Sequence, residues 1–284
     1  MQKFHVKHER LMSSNVSRET CETCKACTAL LKYRTMSELI TSSEYLQRAF
    51  DEEGISLNQA QTDAFMMYAD LLVKKNTVMN LTAITDFKEI VHKHFIDSCA
   101  PAKLPWFPPD GQGIRLIDVG SGAGFPGVPL KILYPQIEVT LLDSLNKRVL
   151  FLQELIAALG LEGITAVHAR AEDGARKEDL REQFDFAVSR AVAALPVLSE
   201  YCLPYVRVGG CFLAYKGGDI GEEAEAAKGA VRKLGGGAPV SETFTLSGAS
   251  GESLGRSLVC IKKIAATPKK YPRKAGTAAK SPLT

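Results

Sequence analysis

The stretch LIDVGSGAGFPG, at residues 116–127, determines the fold of this chain. Its apolar beginning is typical of a strand buried in a parallel sheet, and its alternating glycines allow the backbone to turn tightly against a ligand. Pro126 suits the first turn of a following helix. Together these features predict a strand, a nucleotide-type cofactor loop and a helix, in that order.

The same pattern recurs one unit further along the chain. Residues 139–143 (VTLLD) form a second apolar run that ends in an acid, and residues 146–159 have a helical pattern. In sheets that bind nucleotides, an acid about 20 residues beyond the glycine loop accepts hydrogen bonds from a ribose. We therefore expect Asp143 to bind the ribose of a cofactor.

The spacing of the glycines bears on the identity of that cofactor. A dinucleotide-binding loop reads GxGxxG, whereas residues 120–124 read GxGxG and Phe125 stands where the third glycine would be. A dinucleotide also places its pyrophosphate on the helix N-terminus, and Asp118 would be a poor neighbour for phosphate. S-adenosylmethionine carries no phosphate and offers a sulfonium cation. S-adenosylmethionine therefore suits the loop better than a dinucleotide does. Two alternatives stay open: a loop with a purely structural role, and a loop that binds another nucleotide.

Longer segments resemble a known family. In chain order they are DVGSGAGFPGVPLKI, LLDSLNKRVLFLQEL, HARAED, FDFAVSRAVAAL and KKYPRKAGTAAKSPL. These five segments are similar to sequences of the RsmG family, also called GidB. Members of this family are bacterial methyltransferases of small-subunit rRNA. The resemblance spans roughly residues 39–283. It implies an α/β, class I (Rossmann-like) methyltransferase with a doubly wound seven-stranded sheet, an antiparallel ending and an N-terminal helical lobe. It also implies S-adenosyl-L-methionine as cofactor and N7 of a guanine in the decoding-region loop of 16S rRNA (position 527) as target.

Candidate cofactor residues follow from this resemblance and from a rule of doubly wound sheets. Ligands of such sheets bind beyond the carboxyl ends of the strands. The resemblance implies that Gly120 and Phe125 touch the methionine and ribose, and that Ala171 and Glu172 contact the adenine. Asp173 is a neighbouring acid that could be mistaken for Glu172. The complete set of candidates is Gly120, Gly122, Phe125, Asp143, Ala171, Glu172 and Arg190.

The end of the fourth predicted strand indicates the kind of methyl transfer. Its SRAVAAL segment, residues 189–195, has neither the [DN]PP[YFW] motif of exocyclic-amine methylation nor a cysteine to activate a pyrimidine carbon. Guanine N7 carries a lone pair and no proton, so its attack on a sulfonium methyl needs orientation rather than a general base. We therefore assign no catalytic acid or base and no metal. Arg190 is assigned to positioning, through guanine O6 or the cofactor carboxylate.

The C-terminal segment carries the chain's basicity. The net charge is +3, but residues 262–284 hold seven basic residues and no acid, which leaves the rest of the chain at −4. Prolines in this segment exclude a long regular helix. We predict that it binds RNA phosphates, with Tyr271 and Arg273 able to stack on an unpaired base, and that Arg273 serves RNA rather than cofactor. A solvated terminus is the alternative. The candidate RNA-binding residues are Lys216, Lys269, Lys270, Arg273 and Lys274.

These patterns divide the chain into four parts. We expect a disordered extension at residues 1–35, a helical N-terminal lobe at 36–110, an S-adenosylmethionine-binding methyltransferase domain at 111–265 and a basic tail at 266–284. Within the lobe, Ser56 and Asp86 are candidate helix N-caps. His94 is expected to be packed or hydrogen-bonded, with Asp97 as one partner, or else to border the mouth of the cofactor site.

Composition sets outer bounds on function. The 284 residues, 45% of them hydrophobic, can bury a sizeable core. No apolar run approaches the roughly 18 residues of a membrane span, and the N-terminus lacks the apolar core of a signal peptide. Seven scattered cysteines fit a reducing compartment better than a disulfide framework. We expect a cytoplasmic monomer that acts on 16S rRNA or the small ribosomal subunit and does not contact membranes. A small-molecule methyltransferase and a non-catalytic nucleotide-binding module remain open.

The first residues contain a possible metal motif. Cys21, Cys24 and Cys27 form CxxCxxC, which is one thiolate short of a closed site unless His5 or His8 contributes. A second explanation lies in the DNA. FHVKH (4–8) and VSRET (16–20) can both be encoded by the palindrome GTTTCACGTGAAAC, which resembles the centromere-like sites bound by chromosome-partitioning proteins.

We therefore predict that residues 1–35 are encoded by DNA selected for its nucleotides. Sequencing the gene should show the palindrome at both pentapeptides, read in two different frames. Codons that spell the same residues without the palindrome would contradict this explanation and return interest to the cysteines.

Overall fold

The N-terminal lobe is helical. The computed structural model describes residues 36–104, 107 and 113–284, so residues 1–35, with their three cysteines, lie outside it. Helix α1 spans Met36–Glu52, α2 spans Gln59–Met79, and α3 spans Phe87–Ile90 and continues as a wide π-helical turn over Val91–Ile96.

Of the two predicted helix N-caps, Asp86 is confirmed and Ser56 is wrong. Asp86 caps α3 as predicted, because its Oδ1 accepts from the backbone N of Glu89 at 3.0 Å. Helix α2, however, is capped by Asn58 and not by Ser56. Asn58 and Gln61 exchange two hydrogen bonds of 2.9 Å and form a capping box.

Seven strands of the described residues form one sheet. They are β1 (Arg115–Val119), β2 (Glu138–Asp143), β3 (Ile164–His168), β4 (Phe184–Arg190), β5 (Val206–Gly217), β6 (Val240–Ser247) and β7 (Ser253–Lys262). Their order is β3-β2-β1-β4-β5-β7-β6, with β1 to β5 parallel and β7 antiparallel to both β5 and β6. The predicted doubly wound sheet with an antiparallel ending is confirmed.

Helices alternate with these strands. They are α4 (Gly127–Leu133), α5 (Asn146–Leu159), α6 (Ala171–Gly174), α7 (Leu195–Cys202), α8 (Gly221–Lys233) and α9 (Thr277–Lys280). Helix α5 ends at Gly160, whose φ of 61° is the left-handed conformation that glycine adopts most readily. Across the described residues, none of the helices is both long enough and apolar enough to span a bilayer.

The sheet separates two hydrophobic cores. One lies between the sheet and the lobe, α4 and α5, and includes Phe65, Phe95 and Leu116. The other lies under α7, α8 and the C-terminal tail and includes Ile117 and Tyr271. Leu116 and Ile117 are neighbours on β1 but point into different cores, because side chains alternate between the two faces of a strand. The lobe is thereby packed directly on the sheet.

The C-terminal tail is docked on the sheet domain rather than solvated. Arg181 donates from Nη1 to the carbonyl of Tyr271 at 3.0 Å and from Nη2 to that of Thr267 at 2.8 Å. At the far end, Lys233 Nζ donates to the carbonyl of Thr284 at 2.6 Å. The Tyr271 ring is only 8% exposed, so it packs in the second core and is not presented for base stacking.

Four cysteines lie within the described residues. Cys211 on β5 and Cys260 on β7 are on neighbouring strands, with their Cα atoms 6.3 Å apart. Cys99 and Cys202 are free and buried.

Candidate functional site

Two buried carboxylates hold the glycine loop between β1 and α4. Asp118 Oδ2 accepts from the backbone N of Gly127 at 2.8 Å, and Asp143 Oδ2 accepts from that of Gly122 at 2.9 Å. The two acids are 0% and 2% exposed. Each stands at the carboxyl end of a strand, β1 for Asp118 and β2 for Asp143, so the sheet itself positions both ends of the loop.

The loop requires glycine because its backbone approaches its neighbours closely. Gly124 has a φ of 107°, and a Cβ there would lie 2.6 Å from the Tyr68 hydroxyl and 2.8 Å from Val128 Cγ2. Tyr68 comes from α2 and donates to the carbonyl of Ala123 at 2.6 Å. The lobe thus supports the loop from beneath.

Phe125 lies at the centre of a stack that joins the loop to the lobe. Its ring stacks on Tyr68 at a centroid distance of 5.2 Å and on His94 at 4.5 Å. Arg190 lies over the same ring, with Cζ 5.0 Å from the centroid. A guanidinium over an aromatic face is attracted to it, so Phe125 orients Arg190 at the end of β4.

His94 borders the loop and is hydrogen-bonded elsewhere. Its Nε2 lies 2.8 Å from the Thr82 hydroxyl, and Asp97 is not among its hydrogen-bond partners, so the expected pairing with Asp97 is wrong. Burial, reinforced by the Arg190 charge, lowers the pKa of His94 to about 4. The imidazole is therefore neutral at pH 7.

Asp97 instead binds two arginines from different strands. Its Oδ2 is 2.7 Å from Arg190 Nη1, and its Oδ1 is 2.6 Å from Arg256 Nε. Arg190 Nη1 also donates to the carbonyl of Lys93 at 3.1 Å. We call Asp97, Arg190 and Arg256 the Asp97 cluster. Arg256 was missed from the sequence, because it lies on β7, 159 residues from Asp97, and no spacing signal connects the two.

The candidate adenine and ribose residues lie at the ends of β2 and β3. Asp143 Oδ1 accepts from the backbone N of Leu145 at 2.8 Å, so both its oxygens hold backbone N–H groups. Glu172 is buried and its Oε1 accepts from the backbone N of Gly276 at 2.8 Å, whereas Asp173 is exposed. The tail residue Gly276 therefore touches the residue expected to contact adenine, which the sequence did not indicate.

The remaining candidates of the cofactor set lie close to these acids. The carbonyl of Ala171 accepts from the Tyr205 hydroxyl at 2.7 Å. Gly120 has a φ of 80°, and a Cβ there would lie 2.7 Å from Val192 Cγ2. Ser189 ties the neighbouring strand ends together, since its hydroxyl donates to the carbonyl of Val119 at 2.8 Å.

The candidate RNA-binding residues fall into two groups. Lys269, Lys270 and Lys274 are exposed on the tail. Lys216 and Arg273 have internal partners. Lys216 Nζ is 2.7 Å from Glu223 Oε1 and 2.9 Å from the carbonyl of Ala193. Arg273 donates to the Glu200 carboxylate from Nε at 2.9 Å and from Nη2 at 2.6 Å, and Glu200 is fully buried.

One unsatisfied atom shows which ligand charge this loop suits. Asp118 Oδ1 is buried and has no hydrogen-bond partner within the described residues. Burial raises the pKa of Asp118 to about 7, although the Gly127 N–H acts in the opposite direction. A buried acceptor without a donor favours a cationic neighbour over a phosphate. The ammonium and sulfonium of S-adenosylmethionine meet this condition.

The fold and the site together define a class I methyltransferase. The sheet order, the glycine loop after β1 and the acids after β2 and β3 are its distinguishing features. The family model described as "rRNA small subunit methyltransferase G" matches residues 61–244. Ribosomal RNA small subunit methyltransferase G of Lachnoclostridium phytofermentans is 50% identical over 230 residues, covering 81% of this chain and 93% of the relative.

A second relative has the same name. The protein from Clostridium perfringens (strain 13 / Type A) is 48% identical over 240 residues, covering 84% of this chain and 98% of the relative. The chain belongs to the rRNA small subunit methyltransferase G family.

The buried carboxyl of Asp118 predicts a dependence of stability on pH. Its pKa is raised from 3.8 to about 7, so the stability that the protonated form supplies is present below about pH 4 and is lost as the pH rises to 7. Between pH 5 and pH 7, the unfolding free energy of the wild type should fall by about 2 kcal/mol relative to that of Asp118→Asn, whose side chain does not ionise. Urea denaturation without cofactor measures the difference. Parallel curves for the two proteins would refute the shift.

The Arg273–Glu200 pair predicts a structural role for Arg273. Arg273→Glu should lower the unfolding free energy by about 3 kcal/mol or more, because it leaves the buried Glu200 facing a second carboxylate. Lys274→Glu makes the same charge change on an exposed side chain and should alter stability by less than about 0.5 kcal/mol. Thermal and urea denaturation compare them, and equal effects would show that Arg273 does not stabilise the fold through Glu200.

Proposed function

We propose that this chain transfers the methyl group of S-adenosyl-L-methionine to N7 of a guanine in small-subunit rRNA. The observation that carries the proposal is the corner where Phe125 of the glycine loop meets Arg190 and His94, in a chain of the rRNA small subunit methyltransferase G family. The chain covers nearly the full length of the relatives with that name, 93% and 98% of them. The relatives' names supply the small-subunit rRNA, and the family resemblance supplies guanine N7.

The chemistry of this corner suits a substrate that needs no proton removed. His94 has a pKa near 4 and its Nε2 is engaged by Thr82, so it is a poor general base at neutral pH. Burial raises the pKa of the Cys99 and Cys202 thiols, so neither of these two cysteines offers a thiolate nucleophile. A ring nitrogen with a free lone pair requires only orientation toward the methyl group, and effective-molarity effects of about 7–11 kcal/mol are the upper limit for that contribution.

The glycine loop and the acids beside it would hold the cofactor. Gly120 and Phe125 are assigned to its methionine and ribose parts, Gly122 to the loop that contacts it, and Asp143 to its ribose. Each carboxylate oxygen of Asp143 retains a second lone pair that can accept from a ribose hydroxyl. Ala171 and Glu172 are assigned to the adenine. When bound, S-adenosylmethionine supplies the electrophilic methyl group, and the residues of this chain orient it and the base.

The remaining assignments concern RNA and organisation. Exposed Lys269, Lys270 and Lys274 would bind RNA phosphates, with Lys216 at the edge of the site, while Arg273 would support the tail that carries these lysines. We assign the helical lobe to residues 36–110, the cofactor-binding domain to 111–265 and the basic tail to 266–284. The enzyme would act as a cytoplasmic monomer, and size-exclusion chromatography with light scattering tests the oligomeric state.

A labelling experiment tests the function. Small-subunit rRNA from cells that lack this gene is incubated with the purified protein and S-adenosylmethionine carrying a labelled methyl group. We expect label on one guanine, at a position where borohydride and aniline then cleave the strand, because N7-methylguanine is the base that this treatment opens. Label on a different base, or transfer to small molecules alone, would overturn the proposal.

A matched pair of variants tests the assignment of the site. Asp143→Asn keeps the size of the side chain, but its amide nitrogen cannot accept from Gly122 or Leu145. Since a hydrogen bond to a charged group contributes about 1.5–3 kcal/mol, we expect the Kd for S-adenosylmethionine to rise roughly tenfold or more. Asp173→Asn, at the exposed acid next to Glu172, should leave this Kd unchanged in calorimetry. Equal affinities for both variants would refute the role of Asp143.

A further inference from the structure

A cavity of about 450 Å³ lies between the lobe and the carboxyl ends of β4 and β5. It adjoins the glycine loop, because its walls include His94 and Arg190, the two side chains that contact the Phe125 ring. Basic side chains from three separate parts of the fold also line it. They are Lys93 from the lobe, Lys216 from β5 and Arg256 from β7.

The two lysines of the cavity wall each form an ion pair with an acidic side chain. Lys93 pairs with Glu89 and lies 3.7 Å from Glu252, and Lys216 lies 2.7 Å from Glu223. Those two cations are therefore neutralised within the protein.

The two arginines differ, because they share the single carboxylate of Asp97. Within the Asp97 cluster two guanidinium groups face one carboxylate, so the cluster itself has one more positive than negative charge. All three side chains are largely buried, with exposed fractions of 9% for Asp97, 14% for Arg190 and 24% for Arg256. An unbalanced charge in a partly dehydrated cavity is costly unless a ligand neutralises it.

Each arginine of the Asp97 cluster has one nitrogen without a hydrogen-bond partner within the described residues, Nε on Arg190 and Nη2 on Arg256. The Nε of Arg256 binds Asp97 and its Nη1 donates to the carbonyl of Gly255 at 3.0 Å, so its Nη2 is the donor left for a ligand. The cavity wall also includes Ala191, whose φ of 56° is unusual for a residue other than glycine. Backbone strain of this kind is concentrated at ligand sites.

We propose that Arg256 binds one phosphodiester of the substrate RNA next to the target nucleotide, and that Asp97 is the positioning residue for it. A phosphodiester carries a single negative charge, which matches the single charge left over in the cluster. Guanidinium groups form charge-assisted hydrogen bonds to phosphate oxygens. Asp97 sets the spacing between Arg190, which faces the cofactor loop, and Arg256, which faces the RNA backbone. The inference rests on the proposed function.

Salt dependence of binding to small-subunit rRNA tests the inference. The loss of one phosphate contact should reduce the slope of log Kd against log salt by about 0.7 for single-stranded RNA. We expect this for Arg256→Gln, with weaker RNA binding, a higher KM for RNA, and an unchanged Kd for S-adenosylmethionine. Arg232→Gln removes the same charge from an exposed position on α8 and should keep the wild-type slope.

Two further arms keep the proposal falsifiable. Arg256→Lys retains the charge and should keep the wild-type salt slope. Thermal unfolding of both variants shows whether a change in Arg256→Gln comes from the lost charge or from lost stability. In methylphosphonate interference, one uncharged linkage near the target guanine should weaken the wild type but have no further effect on Arg256→Gln.

An unchanged slope in Arg256→Gln, or an interference pattern identical to that of the wild type, would overturn the proposal. An equal loss of S-adenosylmethionine and RNA affinity would also do so, by assigning the cluster to the cofactor carboxylate. Failure of the proposed function is distinct, since the wild type itself would then neither bind nor methylate the RNA.

Discussion

The site depends on the shape of a short loop, and that shape is fixed by two carboxylates removed from water. Burying an ionised carboxylate costs several kcal/mol unless hydrogen-bond donors surround it. Here the donors are backbone N–H groups of the loop itself, from Gly127 to Asp118 and from Gly122 to Asp143. The loop's N–H groups thus stabilise the buried acids, and the acids in turn fix the conformation of the loop. Asp118 Oδ1 has no hydrogen-bond partner within the described residues, so a ligand that binds next to this oxygen would change the stability of the loop.

The lobe belongs to the site as well as to the core. Tyr68 supports the loop through the Ala123 carbonyl, His94 stacks on Phe125, and Asp97 holds an arginine from each of two strands. A methyltransferase sheet alone would offer the cofactor loop, but it would leave Arg190 without its counter-charge. The lobe therefore completes the corner at which Phe125, His94 and Arg190 meet.

Local sequence patterns predicted the central elements well. The helical pattern at residues 146–159 matches α5 to the residue, and the apolar run at 139–143 matches β2 to within one residue, because apolar runs ending in an acid or a glycine signal where buried elements stop. The edge strand β6 gave no such signal, because most of its residues are exposed. The partners of His94, Arg273 and Glu172 could not be predicted either. They are set by contacts between residues far apart in the chain, such as Glu172 and Gly276, which leave no periodic signal.

The π-helical turn over Val91–Ile96 has a consequence for how this corner tolerates change. Within it the N–H of Asp97 bonds to the carbonyl of His92, five residues back, and the carbonyl of Lys93 accepts from Arg190. The turn is equivalent to one extra residue in the helix. Each residue of an α-helix advances about 100° around its axis, so deleting one residue from a regular helical turn would rotate Asp97 away from both arginines. A one-residue deletion within the π-helical turn would instead return it to an α-helix and keep Asp97 facing them. This segment should therefore tolerate the loss of one residue better than the gain of one.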